Sequence, residues 1–178
     1  SQASDPLRSV WVGASAGTGK TKVLIDRVLR LMLPRPGQPR ESATLPGKVL
    51  CLTFTKTAAA EMSNRIYERL SNWSVRGDAE LDKELSELIG AAPSAEIREE
   101  ARRLFARVLD TPGGLKIMTI HSFCQSVLKR FPVEAGLPPH FELMDEQSAI
   151  EYLTKCLHGI IDGCRENPQS PLAEAFSL

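Results

Sequence analysis

The segment that most constrains this chain is Ala14–Thr21, ASAGTGKT, set between a short apolar run, Val10-Trp11-Val12, and a stretch of helical periodicity. Its glycines let the backbone turn so that N–H groups point inward at a phosphate. A helix that starts at the GKT end adds the positive end of its dipole. In such a loop Lys20 reaches the β- and γ-phosphates and the Thr21 hydroxyl is a ligand for Mg²⁺. The pattern G-x-x-x-x-G-K-[ST] is broken in one place. Ala14 stands at the first glycine position, and Gly13 comes one residue early. An alanine serves there if the first turn needs no positive φ. The expected ligand is a nucleoside triphosphate held by Ala14, Ser15, Ala16, Gly17, Thr18, Gly19, Lys20 and Thr21.

Composition narrows what such a loop can serve. The chain has 178 residues, enough for one sizeable core or one core plus an appendage. Lysine plus arginine balances aspartate plus glutamate at 22 each, which argues against a generally basic coat and leaves any nucleic-acid contact to a local track. No apolar run approaches the roughly 20 residues of a membrane span, and the first residues, SQASDPLRS, carry no apolar signal core. Cys51, Cys124, Cys156 and Cys164 are widely spaced, and His121, His140 and His158 form no ligand pattern. Reduced thiols in a cytoplasmic protein are expected, with no zinc site.

Along the chain, Val10–Gly13 reads as a first strand. Gly19 to Leu33 reads as a helix, with Val23, Leu24, Val28, Leu31 and Met32 on its apolar face. A Pro- and Gly-rich loop follows. Lys48–Phe54, KVLCLTF, reads as a second strand whose continuous apolar run suits a parallel sheet covered on both faces. Strand, helix and strand would make a βαβ unit. Thr57 is a candidate cap for a helix carrying Met62, Ile66, Leu70 and Trp73, and Asp78 and Ser94 are candidate caps for two more. In the last of these, Arg98, Arg102, Arg103 and Arg107 alternate with Glu96, Glu99 and Glu100, which reads as a solvated face. Lys116–Thr119 reads as a third strand with a helix after it. Asp145 to Cys164 reads as a long helix with Ile150, Leu153, Leu157, Ile160 and Ile161 as its stripe.

Two strand-to-helix passages besides the loop carry chemistry. Thr53-Phe54-Thr55-Lys56 ends the second strand, and ligands collect at the carboxyl ends of parallel strands. An exposed Phe54 could stack on a base there, with hydroxyls bonding phosphates. The plainer alternative makes Phe54 core and the threonines caps. Thr119-Ile120-His121-Ser122-Phe123 ends the third strand and places His121 and Ser122 at a helix start, where an anion is favoured. The alternative there is a structural hydrogen bond.

Taken together and in order, AGTGKT, LTFTKTAAAEM and TIHSFC resemble the first three motifs of UvrD/Rep-type superfamily 1 DNA helicases. ASDP before the first strand, and VLKRFPVEAGLPPHFELMDE after TIHSFC, resemble more narrowly the AddA family of helicase–nuclease subunits, which process broken DNA ends for recombination in bacteria. The resemblance spans residues 2 to 150. It implies that Ala14–Thr21 binds ATP and Mg²⁺, with Lys20 and Thr21 as catalytic groups. It also implies that Phe54, Thr55 and Lys56 contact single-stranded DNA, and that His121 and Ser122 do so too. Asn is common in the family where Lys56 stands, so phosphate contact is expected there rather than base-edge contact. The resemblance further implies that Gln2 is the counterpart of a glutamine that reads adenine in the family.

The fold implied is α/β, a RecA-like P-loop NTPase sheet with flanking helices. Residues 1–144 form the N-terminal part of the first motor domain, and residues 145–178 begin an inserted helical subdomain. The sheet is expected to be incomplete, with an exposed edge. A motor also needs an acidic pair that holds Mg²⁺ and orients the attacking water. Phe141–Gln147, FELMDEQ, imitates the family's DE-x-Q, but Glu142 interrupts the strand that should precede it, and Asp145 and Glu146 suit the first turn of a helix. The chain therefore reads as an N-terminal fragment. The longer protein would be a 3′-to-5′ helicase acting at single-stranded and double-stranded DNA ends in the bacterial cytoplasm. It would function in double-strand break repair and homologous recombination, with a C-terminal nuclease and an AddB-type partner. The fragment by itself would not hydrolyse ATP. Two other readings stay open: a P-loop kinase or NTPase indifferent to DNA, and a nucleotide-binding module without turnover.

Overall fold

The computed structural model describes residues 2–15 and 17–176, with Gln2 and Phe176 described by their backbone alone. Two compact units divide the chain, one reaching Val127 and the other starting at Leu128. In the first, α1 (Lys20–Met32) is followed by β1 (Leu50–Thr53), α2 (Lys56–Val75), α3 (Asp78–Ile89), α4 (Ala95–Leu109), β2 (Lys116–Thr119) and α5 (Ile120–Arg130), which runs past the division. The second contains α6 (Glu146–Glu166) and α7 (Pro171–Phe176).

β1 and β2 pair in parallel, Leu50 opposite Lys116 and Thr53 opposite Thr119. Parallel strands need a long crossover, and here α2, α3 and α4 supply it. The core joins one face from each of α1 to α4. Ile25, Val28, Leu29 and Met32 come from α1, and Met62, Ile66, Leu70 and Trp73 from α2. Leu81, Leu85 and Leu88 come from α3, and Ile97, Ala101, Leu104 and Val108 from α4. Those spacings of three and four are what one helix face presents. A mixed helix and parallel-strand unit is the α/β class expected from the sequence.

Several local expectations need correction. Val10–Gly13 belongs to no ladder among the described residues, and Trp11 is 95% exposed. The βαβ unit is therefore not the one formed by the first two apolar runs. It is the larger one closed by β1 and β2. The β1 face carrying Leu50 and Leu52 is open, while Cys51 is buried on the other, so the sheet is covered on one side rather than two. The buried stripe of α1 is turned from the expected one: Leu24 is exposed and Ile25 and Leu29 take its place. Thr57 does not cap α2; Thr55 does, because it stays extended while Lys56 already enters the helix. Asp78 is the first residue of α3, with Gly77 at the cap.

Ser94 does cap α4, accepting from the Ile97 N–H. The arginine face of α4 is ion-paired, Arg98 to Asp82 and Arg102 to Asp78. Glu100 departs from the solvated reading, being 3% exposed and held by Arg40 and Arg107. A carboxylate that buried needs paired charges; Arg107 supplies one from α4 itself, and Arg40 supplies the other, tying the loop before β1 to α4. In the second unit, Ile150, Leu153, Leu157 and Ile160 of α6 are exposed, so its stripe is not buried as periodicity predicted. No described helix is long and apolar enough to cross a membrane.

Candidate nucleotide and nucleic-acid site

Gly17 and Gly19 have φ of 79° and 86°, a region closed to most side chains. No described residue other than glycine has positive φ, so Ala14 occupies the first loop position without strain. Gly19 is the N-cap of α1 and offers no side-chain acceptor, leaving the first-turn N–H groups available to a ligand. Lys20 folds back across the loop, its Nζ donating to the carbonyl oxygens of Ala14 and, at 2.5 Å, Ser15. Thr18 Oγ1 donates to the same Ser15 carbonyl at 2.7 Å. These bonds draw the two ends of the loop together. Ala16, expected to belong to the loop, lies outside the described residues.

Thr21 is exposed in the first turn of α1, and its hydroxyl makes no hydrogen bond among the described residues. Mg²⁺ commonly takes one or two protein oxygens and fills its remaining positions with phosphate and water. No described group of three His, Cys, Asp or Glu could hold an ion. The donor set thus fits a cation that arrives with phosphates, with the exposed Thr21 hydroxyl as an available protein oxygen.

The second cluster grows from the paired strand ends. Thr53 and Thr119 face each other in the ladder, and each strand passes into a helix. Thr53 Oγ1 donates to the Thr55 carbonyl at 3.0 Å, and Thr55 Oγ1 accepts the Ala58 N–H at 3.1 Å. Thr119 is buried, its Oγ1 accepts the Ser122 N–H at 3.1 Å, and it shares a hydrogen bond with Ser122 Oγ at 2.9 Å. Two helix starts thereby follow the carboxyl ends of one strand pair, with Phe54, Thr55 and Lys56 after Thr53 and His121 and Ser122 after Thr119. Phe54 is 87% exposed, which removes its core alternative. Thr55 does have the capping role of that alternative. Lys56 and His121 are exposed and make no ion pair among the described residues. Ser122 is half-buried, so its hydroxyl is partly committed to Thr119.

The two clusters share one unit and a charged link. Asp26 of α1 bonds Arg69 of α2 at 2.5 Å, and Arg69 Nε bonds Glu84 of α3 at 2.6 Å. Burial works against the Arg69 charge, but the hydrogen bonds to Asp26 and Glu84 outweigh it and hold its pKa above the ordinary value. Sequence reading missed this link, because nothing in local spacing joins positions so far apart. It also missed Thr119 as the support of Ser122, although a threonine ending a strand just before a helix is a readable cap signal. Asp145, at the tempting acidic motif, is the N-cap of α6. Its carboxylate accepts from the Ser148 N–H at 2.9 Å and the Ser148 hydroxyl at 2.8 Å, bonds that lower its pKa.

A profile of the UvrD/REP helicase N-terminal domain matches residues 1–175. AddA proteins, the A subunits of ATP-dependent helicase/nucleases, are similar over most of the chain. That of Lactobacillus gasseri is 32% identical over 149 residues, 84% of this chain and 10% of the relative. That of Lactobacillus johnsonii is 33% identical over 166 residues, 91% of this chain and 11% of the relative. That of Bacillus pumilus is 36% identical over 139 residues, 78% of this chain and 9% of the relative. The chain thus spans about a tenth of the length of the curated relatives it matches.

Proposed function

Because the chain belongs to the UvrD/REP helicase N-terminal domain family, we propose that it is the nucleotide-binding, DNA-contacting part of the first RecA-like motor domain of an ATP-dependent DNA helicase. Residues 1–144 are assigned to that domain and residues 145–178 to the start of an inserted helical subdomain. The observation that carries the reading is the register of Thr53 against Thr119. It sets an exposed aromatic ring, an exposed lysine and a histidine after the carboxyl ends of one strand pair, in the unit that also holds the Lys20 loop.

In this reading the triphosphate enters the loop from Ala14 to Thr21. Lys20 exchanges the Ala14 and Ser15 carbonyls for β- and γ-phosphate oxygens, and the N–H groups of the first turn of α1 bond the same phosphates. Thr21 would hold the Mg²⁺ that comes with the nucleotide, which would supply charge neutralisation at the phosphates. Phe54 stacks on a base of single-stranded DNA, while Lys56, His121 and the helix starts meet its phosphates. The Asp26–Arg69–Glu84 link gives the phosphate loop and the DNA edge a common frame.

No acidic pair stands ready for hydrolysis in the described residues, since Asp145 is taken up as a cap. This chain is therefore expected to bind and not to turn over, which is also where the binding-module reading and the helicase reading agree. The longer protein is proposed to be a bacterial, cytoplasmic helicase of the AddA family with 3′-to-5′ polarity. Its nuclease, its AddB-type partner, and its work at DNA ends in double-strand break repair and homologous recombination belong to the same proposal. The test is ATP hydrolysis by the longer protein with and without a single-stranded oligonucleotide. Strong stimulation is expected. Equal rates would favour a P-loop kinase or NTPase indifferent to DNA.

A further inference from the structure

We propose that a cavity at the amino ends of the strand pair is a second anion site, one that takes the phosphate group of a small organic phosphate. The cavity lies between α4 and the loop before β1, and its volume is about 620 Å³, within the usual range of small-molecule sites. Short helical turns at Arg40–Ser42 and Pro46–Lys48 carry several of its lining residues. The loop is tied down on both sides. The Thr44 N–H donates to the Leu31 carbonyl of α1 at 2.7 Å, and Ser42 Oγ accepts the Arg35 N–H at 3.0 Å. A methyl group placed on Gly47 would meet Thr111 Cγ2, in the turn after α4, at 3.4 Å. Lys48 comes just before β1, and Arg107 lies in the last turn of α4, ahead of β2. Phe54 and His121 follow the opposite ends of the same strands.

Arg40, Lys48 and Arg107 bring three cations to the lining, and Ser42 and Thr44 bring hydroxyls. Glu100 holds two of the cations in place: its buried carboxylate pairs with Arg40 Nε at 2.8 Å and with Arg107 Nη2. A guanidinium has five N–H donors, so each arginine keeps others for a ligand. Lys48 is exposed and makes no ion pair among the described residues. Only Glu41 in the lining and Glu100 oppose the three cations, which leaves positive charge over. Guanidinium forks and an ammonium suit phosphate oxygens, and the same charge disfavours a metal ion. Leu45, 57% exposed, adds an apolar wall that a bare phosphate would leave unused. The ligand class is therefore an organic phosphate, its phosphate on the three cations and its apolar part on Leu45. A nucleic-acid strand is the other source of phosphate, but the cavity lies at the strand ends away from Phe54 and His121, off the path proposed for DNA.

The experiment is titration of the isotope-labelled chain with phenyl phosphate at constant ionic strength, followed amide by amide by NMR. Saturable shifts are expected within residues 40–48 and at Arg107. Lys48→Ala should raise the dissociation constant read at those amides by about tenfold, the scale of one charge-assisted hydrogen bond. Lys48→Arg should restore most of the affinity. Lys48 is exposed, so both variants should keep the fold, which the same spectra check. Lys20→Ala should leave the constant unchanged, because the phosphate loop is a separate site. No saturable shift at these residues, or equal affinity in Lys48→Ala, overturns the proposal. A loss in Lys20→Ala at the same amides would trace the shifts to the phosphate loop and overturn it too. A short single-stranded oligonucleotide tests the other source of phosphate. Its affinity should be the same in Lys48→Ala, and a loss there would overturn the assignment to a small molecule.

Discussion

Thr53 and Thr119 are register partners at the ends of two parallel strands, and each is bonded to the start of the helix that follows. Thr53 does this through the Thr55 carbonyl, and Thr119 through the backbone and hydroxyl of Ser122. One ladder pair therefore fixes the height at which two helix starts meet solvent. The exposed side chains of the edge inherit their spacing from that pair.

Thr119→Val keeps the shape and removes the acceptor. Loss of an N-terminal cap costs about 1 kcal/mol, equivalent to roughly 2–4 °C in Tm for a chain of this size. Thermal melting followed by circular dichroism should show that drop. An unchanged Tm would mean that the Thr119–Ser122 bonds contribute nothing to α5.

Phe54→Ala should separate binding from folding. A ring this exposed contributes little to the core, so stability should stay within about 0.5 kcal/mol of the unsubstituted chain. Base stacking is worth about 1–3 kcal/mol, so affinity for a short single-stranded oligonucleotide should fall by roughly fivefold or more. Anisotropy titration measures it. Unchanged affinity would place the DNA elsewhere.

Arg69 is held between Asp26 and Glu84, with all three partly buried. Arg69→Ala leaves two carboxylates without their shared cation and removes the guanidinium from above the Trp73 ring, 5.7 Å from its centroid. A loss of about 2 kcal/mol is expected in urea unfolding. Part of it should return in Asp26→Asn/Arg69→Ala, because Asp26 is the carboxylate left stranded while Glu84 keeps Arg76 at 2.7 Å.

Acid should reach Asp82 only below the ordinary aspartate range. Hydrogen bonds from Arg98 are the main reason its pKa lies below the usual value. A folded pKa below the unfolded value of about 3.9 stabilises the chain above that pH. The contribution is lost as pH falls through the folded value. The Tm difference between the unsubstituted chain and Asp82→Asn should be full at neutral pH and shrink below about pH 4. A difference that persists unchanged into stronger acid would contradict the ion-pair account.

Much of this arrangement was legible in the residues, for identifiable reasons. The α2 stripe Met62, Ile66, Leu70 and Trp73 is buried as its spacing requires, because helical periodicity reports one buried face. Ser94 was readable as a cap for the same local reason. The loop's need for glycine at Gly17 and Gly19 follows from the positive φ that only glycine adopts easily. Val10–Gly13 was misread as a sheet strand because an apolar run records a tendency to be covered, while pairing depends on a neighbour elsewhere in the chain. The α6 stripe was misread in the same way. Glu100 looked solvated because its spacing matches the arginine face, and only the tertiary fold brings Arg40 to it. Of the site residues, motif order made the loop and the two strand ends visible. The cavity lined by Arg40, Lys48 and Arg107 was not, since it needs α4 and the loop before β1 brought together.

The central claim is that Ala14–Thr21 holds a triphosphate through Lys20. The most direct measurement is the dissociation constant of this chain for ATP with Mg²⁺, taken beside that of Lys20→Ala. Removing a cation that bonds phosphate should weaken binding by about tenfold or more. Equal affinity in the two proteins would contradict the claim.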